Sequence, residues 1–243
     1  MTTASRAFLT ARWEHLVVLN YAVPPRVLTQ FIPRGTELDR FQGEALVSVV
    51  AFRFADTRLY GWAVPGHRDF EEVNLRFYVS RRGENGARKR AVVFVRELVP
   101  RRAIAMMARW AYNEPYVAVP MAHETSLDAD QGGHVCYAWR YGKAYFAVEA
   151  SVEGGAQELD PGSEAEFITE HYFGYTTQRD GGTLEYAVEH PPWRVWSTES
   201  AGFFGPAVDL YGEHWGRWLT GRPRSAFVAV GSEVTVRVGQ RVA

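Results

Sequence analysis

A mainly β chain with a few short helices, α+β in class, is what the sequence predicts, on three observations. Strand-type runs rich in β-branched and aromatic residues recur along its length, turn signals arrive too often for long helices, and helical periodicity is sparse.

The strands justify themselves one by one. ALVSVVAFRF (45–54) is almost continuously apolar, and EEVNLRFYV alternates, with Val73, Leu75, Phe77 and Val79 on one face and Glu72, Asn74, Arg76 and Tyr78 on the other. AVVFVREL, HVCYAWRY, KAYFAVEASV, TLEYAVEH and SAFVAVGSEVTVRVG complete the set. YGK (141–143) and RDGG (179–182) are natural hairpin turns.

Three helices are expected. VPPRVLTQFIP spaces Val27, Leu28 and Phe31 for a short helix ending at Pro33; PRRAIAMMARWAY opens on a proline and is rich in alanine and methionine; PGSEAEFITEHYFGY carries Ser163 as N-cap with Glu166 three residues on. Many short antiparallel strands with few helices favour a closed or nearly closed sheet, because closure removes unpaired edges. Such barrels often enclose a cavity, though the pattern itself leaves barrel and sandwich both open.

Length and composition bound the function. At 243 residues without a linker or internal repeat, one domain spanning 1–243 is expected. No apolar run is long enough to span a membrane, the N-terminus lacks the pattern of a secretory signal, and Cys136 stands alone; the expected location is the cytoplasm. With 27 basic and 28 acidic residues the chain has no basic footprint for nucleic acid. GxSxG, P-loop and GxGxxG motifs are absent, and the seven histidines show no metal-ligand spacing, so no cofactor and no metal are expected.

The order of several segments resembles the YqjF-like proteins, an uncharacterised bacterial family in the acetoacetate decarboxylase-like superfamily. Those segments are ARWEHLVVLNYAVPPRVLTQFIPRGTELD, FEEVNLRFYV, YNEPYVAVPM, EHYFGYTTQRDGGTLEYAVEHPPW and RPRSAFVAVGSEVTVRVG, which together reach across nearly the whole chain. The resemblance implies a cone-shaped, closed antiparallel β-barrel around a ligand cavity. In the true decarboxylases a Lys-Lys pair follows a Tyr-Pro or Phe-Pro step, and one lysine forms an imine with the keto acid. Here Val119-Pro120 is followed by Met121-Ala122, so the nucleophile is missing. The only lysines, Lys89 and Lys143, are expected in solvated turns, where neither has the desolvated setting that imine catalysis needs.

The candidate site residues each have a plainer alternative. Arg12 matches the decarboxylase arginine that meets a substrate carboxylate, or pairs with Glu14 at the surface. Glu72, Asn74 and Arg76 line a cavity or face solvent. Tyr112 and Glu114 lie where the decarboxylases carry Gly-Arg-Glu; Glu114 is a candidate proton-transfer group, or Asn-Glu-Pro is only a turn. His171 is the second catalytic candidate, with Tyr172, Tyr175 and His190 as ligand-binding partners, or all four merely pack under a loop. The late rings of WRVW and GEHWGRW suit a cavity wall, a barrel core or a homo-oligomer face equally. The expected activity is binding of a small organic acid, with lyase or hydrolase chemistry that proceeds without a lysine imine; the alternative is a non-catalytic sensor or carrier.

Overall fold

A computed structural model describes residues 6–83, 86–101, 103, 105, 106 and 113–242. The expected helix over PRRAIAMMARWAY falls largely outside these residues, as does Tyr112.

The chain is dominated by strands: β1 (Ala7–Val23), β2 (Glu37–Leu38), β3 (Ala45–Leu59), β4 (Trp62–Ala63), β5 (Phe70–Arg82), β6 (Arg88–Val99), β7 (Tyr116–Ala118), β8 (Met121–Thr125), β9 (Gly132–Tyr141), β10 (Ala144–Glu153), β11 (Phe173–Thr177), β12 (Thr183–Glu189), β13 (Val195–Phe204), β14 (Ser225–Arg237) and β15 (Gln240–Arg241). Among the described residues, helices α1 (Glu164–Thr169) and α2 (Ala207–Gly216) interrupt them. The strand path β12-β11-β6-β5-β3-β1-β14 returns on itself, because β12 also pairs with β14 through Val188↔Val236 and Glu189↔Thr235. Strands β8, β9, β10 and β13 extend from β14 as a further run.

Not every pairing is antiparallel. β6 runs parallel to both β7 and β11, which departs from the all-antiparallel expectation. Parallel neighbours need a long connection, and the 16 positions between Val99 and Tyr116 provide one.

Both faces of the β1-β3-β5-β6 sheet are covered. One packs Val17, Leu19, Val49, Leu75 and Phe77 against Tyr137, Trp139, Phe146 and Val148 of the β9-β10 hairpin. The other packs Leu16, Val50, Phe52, Phe54 and Phe70 with Phe167, Ile168 and Trp193. Burial on both sides explains the near-continuous apolar run of β3, since a strand with one wet face alternates.

The helical expectations are met unevenly. Ser163 caps α1, its Oγ accepting from the Glu166 amide at 3.1 Å, while the Glu166 carboxylate takes the Gly162 amide at 2.6 Å. The helix stops at Thr169, and FGYTT beyond it is strand β11. VPPRVLTQFIP forms two 3-10 turns, Pro25–Val27 and Thr29–Phe31, and leaves Phe31 exposed. Helix α2 and strand β13 have no counterpart in the sequence reading, nor does β1, whose alternation is broken at His15 by a positive φ of 53° and a register shift.

Candidate functional site

The second core surrounds a cavity of about 120 Å³, comparable with the roughly 150 Å³ that admits benzene. Its apolar wall includes Trp13, Phe52, Phe54, Phe70 and Phe94, and its polar residues are Glu72, Asn74, Arg76, Glu97, Glu114, Tyr116 and Tyr186.

Strand β5 supplies the first three. Alternate residues of a strand share a face, so Glu72, Asn74 and Arg76 form a row, opposite Phe52, Val50 and Ser48 of β3. All three are buried, which excludes the solvent-facing alternative.

Glu97 comes from β6 by way of a bulge. Asn74 pairs with Glu97, Leu75 with Arg96 and Arg76 with Phe94, leaving Val95 as the extra residue. Val95 packs against the first core, while Arg96 donates to the Leu210 carbonyl on that side. The bulge therefore returns Glu97 to the cavity face of Phe94; strict alternation would have turned it away. The parallel register Glu97↔Tyr116 then sets the tyrosine beside it.

Glu114 enters from the segment before β7. Asn113 has a positive φ of 56°, a conformation asparagine tolerates, and its Nδ2 donates to the Thr177 carbonyl at 2.9 Å. The turn alternative and the cavity reading thus both apply, because this bend aims Glu114 at Tyr186, whose hydroxyl donates to Oε1 at 2.9 Å. Tyr186 lies opposite Gly174 on β11, and a Cβ at Gly174 would collide with its ring. Gly174→Ala should therefore displace Tyr186 from Glu114 and cost about 1–3 kcal/mol by overpacking, read as a lowered urea midpoint. An unchanged midpoint would show that the ring is free to move aside.

Three buried carboxyls share this space. Burial raises Glu72 to about 7, against the opposing bonds from Asn74 (3.1 Å) and Tyr116 (3.0 Å) and the charge of Arg76. Burial raises Glu114 to about 8, with the charge of Glu72 adding to it. Glu97 is pushed well above its ordinary value by burial and then by Glu114 and Glu72. Tyr116 keeps its proton for the same reasons, so its hydroxyl stands between Glu72 and Glu97 as a neutral donor and acceptor. Such an arrangement can hold and move protons near neutrality.

Arg76 is the cationic member. It is 9% exposed, makes no ion pair with any described residue, and its Nε has no hydrogen-bond partner. Its guanidinium lies over the Tyr78 ring, 5.8 Å from the centroid. A buried guanidinium without a carboxylate is costly, and an anion would relieve it.

The other expected site residues lie elsewhere. Arg12 is corrected from anion anchor to surface residue: Trp13 faces the cavity, so its neighbour turns outward, half exposed, with Nε 2.6 Å from Glu14. His171 is buried but outside the cavity, its Nε2 3.3 Å from Asp39, and burial lowers it to about 4, leaving it neutral. Burial opposes the charge of Asp39 as well, but His171 and Arg90 outweigh it and hold the carboxylate at about 2. The Tyr175 hydroxyl donates to Glu185 at 2.6 Å on the far side of β12 from Tyr186. Tyr172 donates to Glu170 at 2.8 Å, and His190 stacks on Trp193 at 4.1 Å, one ring removed from the cavity.

Lys89 is also corrected. It lies in strand β6, not in a turn, and pairs with Glu185 at 2.5 Å. Lys143 is exposed at the β9-β10 turn as expected, and neither lysine lines the cavity. The described residues contain no cluster suited to a metal ion, and no described helix is long and apolar enough to cross a membrane.

Four hydrogen-bonding residues of the cavity have no place among the sequence candidates: Trp13, Glu97, Tyr116 and Tyr186. The available signals were a glutamate inside the strand run AVVFVREL and a glycine inside the strand FGYTT, which marks close approach of another group.

A mainly β chain whose strands surround a buried polar cavity, lined by no lysine among the described residues, has the acetoacetate decarboxylase-like fold. Its solved neighbours include an acetoacetate decarboxylase from Legionella pneumophila (TM-score 0.65, 14% identity, 99% of this chain and 90% of the other). They also include the enduracididine biosynthesis enzyme MppR complexed with pyruvate (0.64, 15%, 97% and 90%) and an acetoacetate decarboxylase-like enzyme from Sphingomonas wittichii (0.65, 11%, 96% and 92%). At these identities the likeness establishes the fold alone. The chain belongs to the DUF2071 family of uncharacterized conserved proteins, whose model matches residues 10–210. It is 27% identical to the uncharacterized protein YqjF of Bacillus subtilis over 82% of this chain and 80% of that one.

Proposed function

We propose that the chain is a single cytoplasmic unit, a closed cone-shaped barrel whose chamber binds a small organic acid. The observation that carries this reading is the buried, unpaired guanidinium of Arg76 beside carboxyls that burial keeps protonated. Arg76 meets the carboxylate of the ligand, the aromatic wall takes its apolar body, and Glu114 with Tyr186 and Glu72 with Tyr116 supply or accept protons. Decarboxylation, other lyase chemistry or hydrolysis in this chamber would proceed without a lysine imine; a non-catalytic carrier would bind the same acid and release it unchanged, and turnover separates the two.

The pH dependence tests the binding. Glu72 and Glu114 ionise near 7 and 8, and each new negative charge repels an anionic ligand, so affinity for short monocarboxylates should fall as pH rises from 6.5 to 8.5. Calorimetric titration at both values reads this, and affinity that rises with pH would sink the proposal. Separately, treatment with keto acids and borohydride should leave the intact mass unchanged. A trapped adduct on Lys89 or Lys143 would restore imine chemistry.

A further inference from the structure

The unpartnered polar atoms around the chamber describe a ligand more closely than its charge does. Among residues that line it, Trp13 Nε1, Asn74 Oδ1, Arg76 Nε and Glu97 Oε2 are buried and have no hydrogen-bond partner. Buried polar groups in native proteins are nearly always satisfied, so four in one chamber mark what its occupant must offer. Trp13 Nε1 and Arg76 Nε can only donate, and both call for oxygen acceptors. Asn74 Oδ1 can only accept, and its orientation is set by Nδ2, which donates to Glu72 Oε1 at 3.1 Å. A plain carboxylate satisfies the donors and leaves Asn74 Oδ1 without a partner, and a 2-oxo acid adds another acceptor where a donor is required.

We propose that the chamber selects a short hydroxy acid, one whose hydroxyl lies within a carbon or two of its carboxylate, over the corresponding unsubstituted and oxo acids. The proposal rests on Arg76 receiving the carboxylate and adds Asn74 as the residue that reads the hydroxyl. Both stand on the same face of β5, two residues or about 6–7 Å apart along the strand, so a long arginine and a short asparagine can converge on neighbouring groups of one small molecule. The chamber volume limits that molecule to roughly the size of benzene, and its largely aromatic wall favours an alkyl remainder over a second charge.

The probes are 2-hydroxybutanoate, 3-hydroxybutanoate, butanoate and 2-oxobutanoate, titrated calorimetrically into the native protein at pH 6.5. At least one hydroxy acid should bind about fivefold or more tightly than butanoate and 2-oxobutanoate, because leaving a buried acceptor unpaired costs at least about that ratio. In Asn74→Leu the preference for the hydroxy acid over butanoate should shrink to within about twofold. Equal binding of all four acids to the native protein, with that binding lost in Arg76→Leu, would overturn hydroxyl selection and leave the organic-acid reading standing. Binding of none of them would overturn both. The comparison on native protein decides the matter even if Asn74→Leu fails to fold.

Discussion

Arg76→Leu is expected to weaken carboxylate binding by about ten- to a hundredfold, the range for removing one charge-assisted hydrogen-bonding partner at about 1.5–3 kcal/mol. The same substitution should leave the urea midpoint unchanged or raised. Arg76 is buried and has no carboxylate within ion-pairing distance among the described residues, so folding gains little from its charge. Loss of affinity without loss of stability is the signature of a group kept for a ligand, whereas a structural arginine would give the reverse pattern. Arg12→Leu is the matched control. Its guanidinium is half exposed and bound to Glu14, which keeps Arg53 at 2.7 Å as a second partner, so binding should change by less than about twofold. A large effect at Arg12 and none at Arg76 would move the anion site to the surface.

The second large effect is on stability against pH. Glu72, Glu97 and Glu114 ordinarily ionise near 4.5, and in the folded chain all three are raised. A raised folded value contributes stability that is fully present below 4.5 and is lost as pH climbs through the folded values, here about 7 for Glu72 and about 8 for Glu114. Asp39 and His171 act in the opposite sense, but their contributions are lost only as pH falls toward about 2 and about 4. Between pH 7 and 8.5 the slope therefore belongs to the three glutamates. Unfolding free energy should fall across that interval by an amount on the order of a few kcal/mol, at about 1.4 kcal/mol per pH unit for each proton held. The triple variant Glu72→Gln, Glu97→Gln, Glu114→Gln should be nearly flat over the same range and more stable than the native chain at pH 8.5. A native profile that rises with pH would mean that the carboxyls are solvated and ionised in the folded state.

The polar row on β5 was legible because alternation is a local property: once EEVNLRFYV is a strand, Glu72, Asn74 and Arg76 must share a face. What that face meets is not local. Its burial depends on β1, β12 and β14 completing the ring, and β14 is separated from β5 by more than a hundred residues. Glu114 was found by its place before Pro120, but its partner Tyr186 was not, since Gly174 makes room for that ring only after β11 and β12 have paired. His171 misled because a histidine among tyrosines looks reactive in one dimension. The fold instead buries it beside Asp39, where desolvation removes its charge.

By itself the sequence determined a strand-rich fold class and the absence of lysine at the two positions directly after Pro120, because propensity, alternation and residue identity are carried by the chain whatever its partners. Only the tertiary structure decided which charges are desolvated. The bulge at Val95 turns Glu97 inward, the parallel pairing of β7 brings Tyr116 to it, and alternation beside Trp13 sends Arg12 to water while Arg76 is enclosed. Desolvation is the sum over all surrounding atoms, most of them distant in sequence, and it is desolvation that separates a surface ion pair from a binding site.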